Sequence, residues 1–390
     1  MKIIHTGDVH FDNPPQLLAE IIKCTDHLIN TARIEQPDMI IVAGDTFHDS
    51  VELGSPASLA AMEFIESCAD IAPTLIIRGT TTHDAEGSVN ALGKIRAKNS
   101  VFVTDKLCQV AFTEEGFEPL ESISGKPVKA LISCLPAVTK ATIMAGGNLS
   151  VEDTKHETID LLRDVLCGWG HVNSEAQVPT ILVGHFTVTG SVTPTGQVMV
   201  GRDLELSVGD LRLAKADLVC LGHIHKMQSW GEIFYCGSVT RLNHGEANDE
   251  KGFFIHQFIN KSLSSSFIET PARVMKTRRP TTVPTVDDVG DVEPGEYVRL
   301  IFEISDDDIP KLDEQAIIKA ALAKGAADVK IEKVIIPKST VRAEGISRLG
   351  SVQEKLKKWA ELSSVLLTDD IFNKLAELEQ PPENTMEAAA

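Results

Sequence analysis

The sequence predicts an α/β fold in which helices pack around a central sheet core. Two observations lead to this class. Short apolar runs of strand length alternate with helical stretches over the first two thirds of the 390 residues. Five of these runs end at a glycine that is followed by polar side chains. Polar residues at the carboxyl ends of strands are the expected location of an α/β active site.

The elements are predicted in chain order as follows. A strand at Lys2–Thr6 precedes a helix that starts after Pro14-Pro15 and keeps an apolar face through Gln16–Ile34. Two further helices are predicted at Ser55–Cys68 and Glu152–Val165. The other predicted strands are Met39–Val42, Thr74–Ile77, Val128–Ser133, Thr180–Val183, Asp217–Leu221, Ile233–Tyr235 and Phe253–Phe258.

The composition changes near residue 268, where a stretch rich in proline and basic residues begins. We therefore predict a first domain at 1–268 and a linker with a small strand–helix–strand domain at 269–340. The helix of this small domain, Asp313–Lys324, ends at Gly325, a typical C-terminal cap. A helical segment is predicted at 341–380, and the tail at 381–390 is predicted to be disordered.

An apolar stripe marks one face of the C-terminal helical segment. Its members are Val352, Leu356, Trp359, Leu362 and Leu366. Their spacings of three and four residues indicate a helix with one apolar side. Such a side either packs back onto the domain or binds a helix of a partner, and the pattern alone does not separate these two outcomes.

Charge and cysteine usage restrict the class of protein. The chain has 37 basic and 56 acidic residues, a formal net charge of −19, which argues against binding nucleic acid with the whole surface. A nucleic-acid substrate stays possible if bound metals or a partner subunit supply positive charge. The seven cysteines form no CxxC pair. We expect reduced, buried thiols in a cytoplasmic protein.

No membrane span is expected from the sequence. The longest apolar runs, such as Met39–Ala43, have strand length and fall far short of the roughly 20 residues that cross a bilayer. A signal peptide is not expected either, because polar residues of the predicted site begin at Asp8.

The polar residues after the five strands have the chemistry of metal ligands. Asp8 and His10 are two residues apart and point the same way in an extended segment, and the His223/His225 pair repeats this spacing. The carboxylate of Asp45 has two oxygens and is able to bridge two ions, while His185 completes one ligand set. Carboxylates mixed with imidazoles favour manganese, iron or zinc over magnesium or calcium. Two such ions, roughly 3.5–4 Å apart, activate a bridging hydroxide for attack on phosphorus.

The order D-x-H, GD, HD, GH, GHxH resembles that of the calcineurin-like metallophosphoesterases. Within them the chain looks like the SbcD-type nuclease subunits, the bacterial relatives of the meiotic recombination nuclease. The segments that carry this resemblance are GDTFHDS, LGHIHKMQ and FYCGSVTRLNHGEANDEKGFF. It covers residues 1 to about 260, and beyond them it rests on domain order.

The resemblance implies a sandwich of two sheets flanked by helices, a small α/β capping domain and a C-terminal helical segment that binds an SbcC-like ATPase. It also implies a homodimer, for which the predicted helices at Leu18–Ile34 or Ala60–Ile71 are available. The implied cofactors are two divalent metal ions, with manganese favoured. One ion takes Asp8, His10, Asp45 and His225, and the other shares Asp45 and adds His185 and His223.

The same resemblance implies roles for three more residues. His83 matches the catalytic histidine, which protonates the leaving oxygen or stabilises its charge, and Asp84 would orient it. His48 matches a second histidine near the scissile phosphate. Lys226 and Arg241 lie close to the site in sequence and are the expected contacts to substrate phosphates.

One motif departs from the family pattern. The usual third segment is GNHD, in which the asparagine amide oxygen binds the second metal. Here the segment reads GTTTHD, two residues longer and without asparagine. A hydroxyl of Thr80, Thr81 or Thr82, or a water molecule, would have to replace it, and we expect a weaker second metal site.

Three functions follow, in order of preference. The first is a manganese-dependent DNA exonuclease and endonuclease subunit that acts with an SbcC-like ATPase in DNA end processing, repair or recombination. The second is a phosphatase or phosphodiesterase that acts on a small molecule or a phosphoprotein. The third is a non-catalytic scaffold, for which the altered GTTTHD segment is the sole support.

Overall fold

The computed structural model describes residues 1–123, 125–137, 151–193, 205–259, 262–336 and 346–378. The chain divides into two compact units. The first consists of residues 1–279, 286–300 and 314–331, and the second consists of residues 280–285, 301–313 and 332–390. The predicted disordered tail at 381–390 lies outside the described residues.

The described helices and strands are numbered here in chain order. The helices are α1 (Pro15–Glu35), α2 (Pro56–Ile71), α3 (Ser88–Leu92), α4 (Val151–Glu175), α5 (Val208–Arg212), α6 (Glu314–Ala323), α7 (Val352–Ser363) and α8 (Asp369–Leu378). The strands are β1 (Lys2–Thr6), β2 (Met39–Val42), β3 (Thr74–Ile77), β4 (Val101–Thr104), β5 (Cys108–Thr113), β6 (Gly116–Pro119), β7 (Ala130–Leu135), β8 (Thr180–His185), β9 (Thr187–Val188), β10 (Glu205–Leu206), β11 (Leu218–Gly222), β12 (Gln228–Trp230), β13 (Ile233–Tyr235), β14 (Gly252–Ile259), β15 (Ser262–Glu269), β16 (Met275–Arg278), β17 (Tyr297–Ser305) and β18 (Asp328–Ile336).

Two mixed sheets form the body of the first unit. One has six strands in the order β15-β14-β1-β2-β3-β4, and the other has seven in the order β12-β13-β11-β8-β7-β5-β6. Neighbours from β1 to β4 are parallel, as are β7, β8, β11 and β13. Outer strands add antiparallel pairs. The carboxyl ends of neighbouring parallel strands therefore lie at a common edge of each sheet.

The strand β2 shows why the core has several layers. Met39 and Ile41 pack between the two sheets, whereas Ile40 and Val42 pack against the helices α1 and α2. A strand buried on both faces needs the uninterrupted apolar run that the sequence shows. Burying each such side chain contributes roughly 1.5–3 kcal/mol. Residues of α4 and α5 cover the outer face of the seven-stranded sheet. The predicted sandwich of two sheets flanked by helices is confirmed.

Some strands of the structure were not predicted from the sequence. The strand β15 has the sequence SLSSSFIE and pairs along its whole length with β14. Its many polar residues do not show the apolar pattern from which strands were predicted. The stretch predicted as a linker contains β16, which pairs in parallel with the start of β17. In both cases pairing with another strand, rather than local apolar pattern, determines the structure.

The second unit contains the helices predicted near the C-terminus. A capping box between Ser351 and Glu354 starts α7, and α8 follows after a short turn. Among the described helices, none combines the length and the apolar composition that crossing a bilayer requires.

Candidate metal centre

The carboxyl ends of β1 and β2 are joined by backbone hydrogen bonds. The Asp8 amide donates to the Gly44 carbonyl at 3.0 Å, and the His10 amide donates to the Asp45 carbonyl at 3.1 Å. These bonds extend the parallel pairing of the two strands past their regular ends. The D-x-H and GD segments are thereby held side by side.

The carboxyl ends of β8 and β11, in the seven-stranded sheet, lie next to the D-x-H and GD segments of the six-stranded sheet. The imidazole Nδ1 of His185 lies 2.7 Å from the Ala43 carbonyl, just before the GD segment. The amide of His223 donates to both Asp8 carboxylate oxygens, at 2.8 and 3.0 Å. The predicted ligands of the two sheets, far apart in sequence, meet in one buried site.

Strained backbone is concentrated at this site. The described part of the chain has seven non-glycine residues with positive φ. Four of these seven are predicted ligands. These four are Asp8 (φ 48°), His10 (φ 53°), Asp45 (φ 47°) and His223 (φ 101°). Such conformations persist only where the surrounding structure enforces them, and they cluster at functional sites. Here they turn the side chains away from the strand direction.

Two glycines at the strand ends are required for different reasons. Gly44 has φ +88°, and a Cβ there would lie 2.3 Å from the His185 ring. Gly79 keeps an ordinary φ, but its Cβ would lie 2.1 Å from the Asp45 Oδ1. At Gly44 the requirement is the backbone conformation of a sharp turn as well as space. At Gly79 the requirement is space for the carboxylate.

The predicted ligands fall into two groups. One contains Asp8, His10 and His225, and the other contains Asp45, His185 and His223. Within each group the potential ligand atoms all lie within 4.8 Å of one another. Three donors of imidazole nitrogen and carboxylate oxygen suit a transition-metal ion. The geometry is that of two neighbouring metal sites.

The carboxylate of Asp45 connects the two groups. Its Oδ2 lies 3.2 Å from the Nε2 of His185 and 3.8 Å from the Nε2 of His10. The Nε2 of His10 is itself 2.9 Å from the Nε2 of His225. Asp45 therefore lies between the two groups of donors.

Three of the six donors have pKa shifts that favour their metal-binding forms, whereas burial raises the pKa of Asp8, and neighbouring carboxylates outweigh burial and raise the pKa values of His185 and His225. Burial, with the charge of the neighbouring His225, lowers the pKa of His10 well below its usual value, and burial lowers that of His223 to about 3. Burial alone would raise the pKa of Asp45, but the adjacent His185 outweighs it and holds that pKa low. Neutral imidazoles and an ionised carboxylate are the metal-binding forms. In addition, the buried Nδ1 of His10 has no hydrogen-bond partner among the described residues.

A second group of residues fixes the ring of His225. Its Nδ1 lies 3.1 Å from the Oε1 of Glu246, a residue that is 1% exposed. The other oxygen of Glu246 forms an ion pair with the buried ammonium of Lys251 at 2.8 Å. The ammonium also donates to the His225 carbonyl. A carboxylate behind a ligating histidine fixes its tautomer and strengthens it as a ligand.

The sequence alone predicted no role of their own for Glu246 and Lys251. The available signal was their place in the segment FYCGSVTRLNHGEANDEKGFF, which carried part of the family resemblance. Only the folded chain shows that this segment lies behind His225.

Replacing Glu246 by glutamine is expected to weaken metal binding by roughly 10–100-fold, because the ring of His225 loses its orienting carboxylate. Titration of the metal-free protein with Mn²⁺ in a calorimeter measures this change. The matched control is Glu250→Gln, an exposed position in the same loop. Equal affinities for the two variants would contradict the positioning role.

The same variant has an expected pH signature. Burial opposes ionisation of Glu246, but the hydrogen bond from His225 and the charge of Lys251 lower its pKa to about 2. A lowered folded pKa stabilises the fold above the unfolded pKa of about 4.3, and this contribution is lost as the pH falls toward 2. We therefore expect the stability gap between wild type and Glu246→Gln to shrink over that interval, as measured by thermal melts across this pH range.

The third segment contacts the site through Thr80. Its amide and its hydroxyl both donate to the Oδ1 of Asp45, at 2.7 and 3.0 Å. Thr81 and Thr82 are exposed. Of the three threonines that the sequence left open, Thr80 is the one beside the bridging carboxylate.

Asp84, which the resemblance gives the role of orienting His83, has backbone amides as its hydrogen-bond partners. The buried carboxylate of Asp84 accepts the amides of Gly79 and Phe47, at 2.8 and 3.1 Å. The Nδ1 of His83 instead contacts the carbonyl of His48. A carboxylate that accepts two backbone amides holds the loops together, so Asp84 positions the GTTTHD and GDTF segments rather than the imidazole.

His83 and His48 lie next to the metal centre. The ring centroid of His83 is 4.6 Å from that of His10 and 5.4 Å from that of His48. The centroids of His10 and His48 are 5.5 Å apart. With its Nδ1 engaged by a carbonyl, His83 presents its Nε2 as the nitrogen that can exchange a proton.

The two predicted phosphate contacts differ in their surroundings. Both terminal nitrogens of Arg241 donate to backbone carbonyls, among them Arg273 and Asp249, each at 2.9 Å. These bonds join chain segments, which corrects the expectation that Arg241 contacts substrate. Lys226 has a side chain that is 39% exposed, with its ammonium 3.9 Å from Asp249. It stays a candidate.

Comparisons with known proteins agree with this geometry. Residues 1–227 match the model of the family described as calcineurin-like phosphoesterase. The SbcD component of the SbcCD nuclease of Escherichia coli (strain K12) is 26% identical over 408 aligned positions, which cover 98% of this chain and 94% of the relative. The protein of the same name from Staphylococcus saprophyticus is 26% identical over 279 positions, covering 69% of this chain and 68% of the relative.

A solved structure is also similar. It is a dimetal phosphatase from Danio rerio, 10% identical, with a TM-score of 0.39 over 68% of this chain and 95% of the other. The family match spans more than half of the residues and includes every predicted ligand. The chain therefore belongs to the calcineurin-like phosphoesterases, and it resembles the SbcD-type nuclease subunits along nearly its entire length.

Proposed function

We propose that this protein is a metal-dependent DNA exonuclease and endonuclease subunit that acts with an SbcC-like ATPase in DNA end processing, repair or recombination. The observation that carries the proposal is the buried pair of donor groups linked by Asp45. Two neighbouring ions held there would activate water and neutralise charge on the phosphate. Manganese is the metal we favour for this donor set.

The residues of the site would have different roles in phosphodiester hydrolysis. Asp8, His10 and His225 would hold one ion and His185 and His223 the other, with Asp45 shared. The Nε2 of His83 would donate a proton to the leaving sugar oxygen. His48 holds His83 in place through its carbonyl and would contact the scissile phosphate with its ring.

The extent of the resemblance favours DNA over a small substrate. The SbcD relative from E. coli aligns with 98% of this chain, well beyond the phosphoesterase domain. The two phosphoesterase sheets are complete at the end of β15, residue 269, and the alignment with this relative continues past that point. The additional residues are used, in our proposal, to bind DNA and the ATPase.

A cationic cavity in the first unit supports contact with the DNA backbone despite the net charge of −19. The cavity has a volume of 330 Å³, and its charged lining consists of Arg299, Lys330, Asp328 and Arg273, whose guanidinium donates to the Arg241 and Leu242 carbonyls. Asn243 also lines it and donates to Glu246, which holds the ligand His225. Phosphate contacts dominate the affinity of proteins for DNA.

One assay separates the possible activities. The protein is incubated with Mn²⁺ and a labelled DNA hairpin or blunt duplex, beside p-nitrophenyl phosphate and bis(p-nitrophenyl) phosphate, with Asp8→Ala and His83→Ala in parallel. DNA cleavage that both variants lose supports the proposal. Hydrolysis of the monoester alone would assign a phosphatase, and inactivity even with the ATPase present would assign a scaffold.

We further propose that the second ion binds more weakly than the first, because the hydroxyl of Thr80 replaces an amide oxygen. Replacing Thr80 by asparagine is expected to raise the affinity for the second Mn²⁺, as read from the two binding steps in calorimetry. Thr81→Asn, at an exposed position, serves as the control. Two equally tight ions in the unmodified protein would contradict the prediction.

The second unit offers a surface for the proposed ATPase. In the described residues, Val352, Leu362 and Leu366 of the apolar stripe are 49%, 50% and 93% exposed. A groove of 420 Å³ between α7 and α8 is lined by Leu356, Ile371 and others. Val352 and Leu362 lie on α7, whereas Leu366 lies past its end in the turn before α8, so the predicted helical stripe stops short of Leu366. Exposed apolar residues of this kind are typical of a partner-binding surface.

Removing residues 346–390 is expected to abolish binding to the SbcC-like ATPase and to spare metal binding. The point variant Leu366→Asp is expected to weaken the complex at least about tenfold, because a carboxylate cannot be buried unpaired in an apolar interface. Pull-down and titration with the ATPase measure both. Leu59→Asp, at a half-exposed position on α2, is the control, and binding retained by the truncated chain would refute this assignment.

The remaining parts of the proposal concern assembly and location. We propose a cytoplasmic homodimer. Ile22 and Ile34 are exposed apolar residues on α1 and are the positions we would test in a dimer contact. Light scattering of the Ile34→Asp variant beside the wild type measures the mass of the particle.

A further inference from the structure

Two cysteines face each other across neighbouring strands, away from the metal centre. Cys108 starts β5 and is the direct antiparallel partner of Cys134 near the end of β7. Directly opposed residues in an antiparallel pair have Cα atoms about 4.5 or 5.5 Å apart. Both values fall within the range of roughly 4.4–6.8 Å that a disulfide bridges. The two thiols are free in this structure.

The two thiols have different environments. The thiol of Cys134 donates a hydrogen bond to the sulfur of Cys108. The hydroxyl of Thr104 lies 3.6 Å from the same sulfur. The bond from Cys134 lowers the pKa of Cys108 to about 7, against the effects of burial and of Glu121. The pKa of Cys134 is raised by that bond and by burial.

Access to solvent is equally uneven. Cys108 is partly exposed, whereas Cys134 is fully buried. A small oxidant therefore reaches Cys108 first, because Cys134 is shielded from solvent. Reactive cysteines combine thiolate character with partial exposure, and a second thiol next to them resolves the first adduct.

We propose that Cys108 and Cys134 form a reversible intramolecular disulfide with a small-molecule disulfide, such as glutathione disulfide, as the oxidant. The Cys108 thiolate attacks one sulfur of the oxidant, whose S–S bond breaks and releases one glutathione thiolate. Cys134 then gives up its proton and attacks the Cys108 sulfur, which expels the second glutathione. Two protein thiols are oxidised, and one glutathione disulfide is reduced to two glutathione thiols.

Nothing in the sequence indicated this pair. The cysteines are 26 positions apart, counting from 108 to 134, and neither belongs to a CxxC motif. The expectation of inert, buried thiols holds for Cys24, Cys68, Cys220 and Cys236, which the structure buries. Cys167 is exposed and must be removed before a test.

The test uses the full chain with Cys167→Ser as background, equilibrated in glutathione buffers from reducing to oxidising. After acid quenching and alkylation, intact mass and peptide mapping identify the modified residues. We expect oxidation to remove two alkylation sites together and to give one cross-linked peptide that contains Cys108 and Cys134. Dithiothreitol should reverse it.

Two variants test the order of the steps. Cys134→Ser should stop with one glutathione attached to Cys108, and Cys108→Ser should stay unmodified under the same conditions. Thr104→Val should slow the reaction of Cys108. A circular dichroism spectrum recorded before quenching shows in every sample that the protein is folded. The quenched samples are then alkylated under denaturing conditions, so that buried thiols also react. A cross-link to another cysteine, no cross-link at any buffer ratio, or equal modification of the two serine variants would overturn the proposal.

Discussion

Replacing Asp45 by asparagine is expected to reduce metal-dependent phosphodiester cleavage by about 10³-fold. Among the described residues, the carboxylate of Asp45 approaches both groups of ligands, at 3.2 Å from His185 and 3.8 Å from His10. The amide keeps the shape of the side chain but removes the charge that a bridging ligand provides. Rates with bis(p-nitrophenyl) phosphate and with DNA measure the loss.

The metal content of the same variant should fall as well, because one substitution weakens both sites. Asp49→Asn is the matched control, since Asp49 lies four residues later in the same segment and is exposed. A circular dichroism melt excludes general unfolding as the cause. An Asp45→Asn protein that binds two ions and cleaves at the wild-type rate would contradict the assignment of this centre.

Replacing His83 by alanine is expected to reduce DNA cleavage by roughly 10²–10⁴-fold while metal binding persists. His83 belongs to neither group of ligands that contains the carboxylates, yet its ring packs 4.6 Å from that of His10. Protonation of the leaving oxygen matters most for a sugar alkoxide. A p-nitrophenolate leaves without a proton, so the same variant should lose less than about tenfold on bis(p-nitrophenyl) phosphate.

The difference between the two substrates tests the role of His83 as an acid. Equal losses on both would assign it to binding or to support of the metal ligands. His171→Ala, at a highly exposed position on α4, is the control for histidine removal. Calorimetric titration with Mn²⁺ shows whether the metal sites stay intact.

The sequence by itself determined the class of fold and the candidate metal ligands. The strands β1, β2, β3, β8 and β11 lie where apolar runs predicted them, because strands buried on both faces need uninterrupted apolar residues. The candidate ligands were found because chemistry at a strand end is a local signal. Asp8, Asp45 and His223 each come within two residues of the end or the terminal glycine of an apolar run.

The tertiary structure decided what depends on residues distant in sequence. In the folded chain the carboxylate of Glu246 lies behind the ring of His225. The carboxylate of Asp84 accepts hydrogen bonds from two backbone amides and makes none with the ring of His83, and the guanidinium of Arg241 donates to backbone carbonyls. The fold also places Cys108 opposite Cys134 across two strands. Partner choice among buried polar groups follows from which segments the fold brings within hydrogen-bonding distance, and no local pattern encodes that distance.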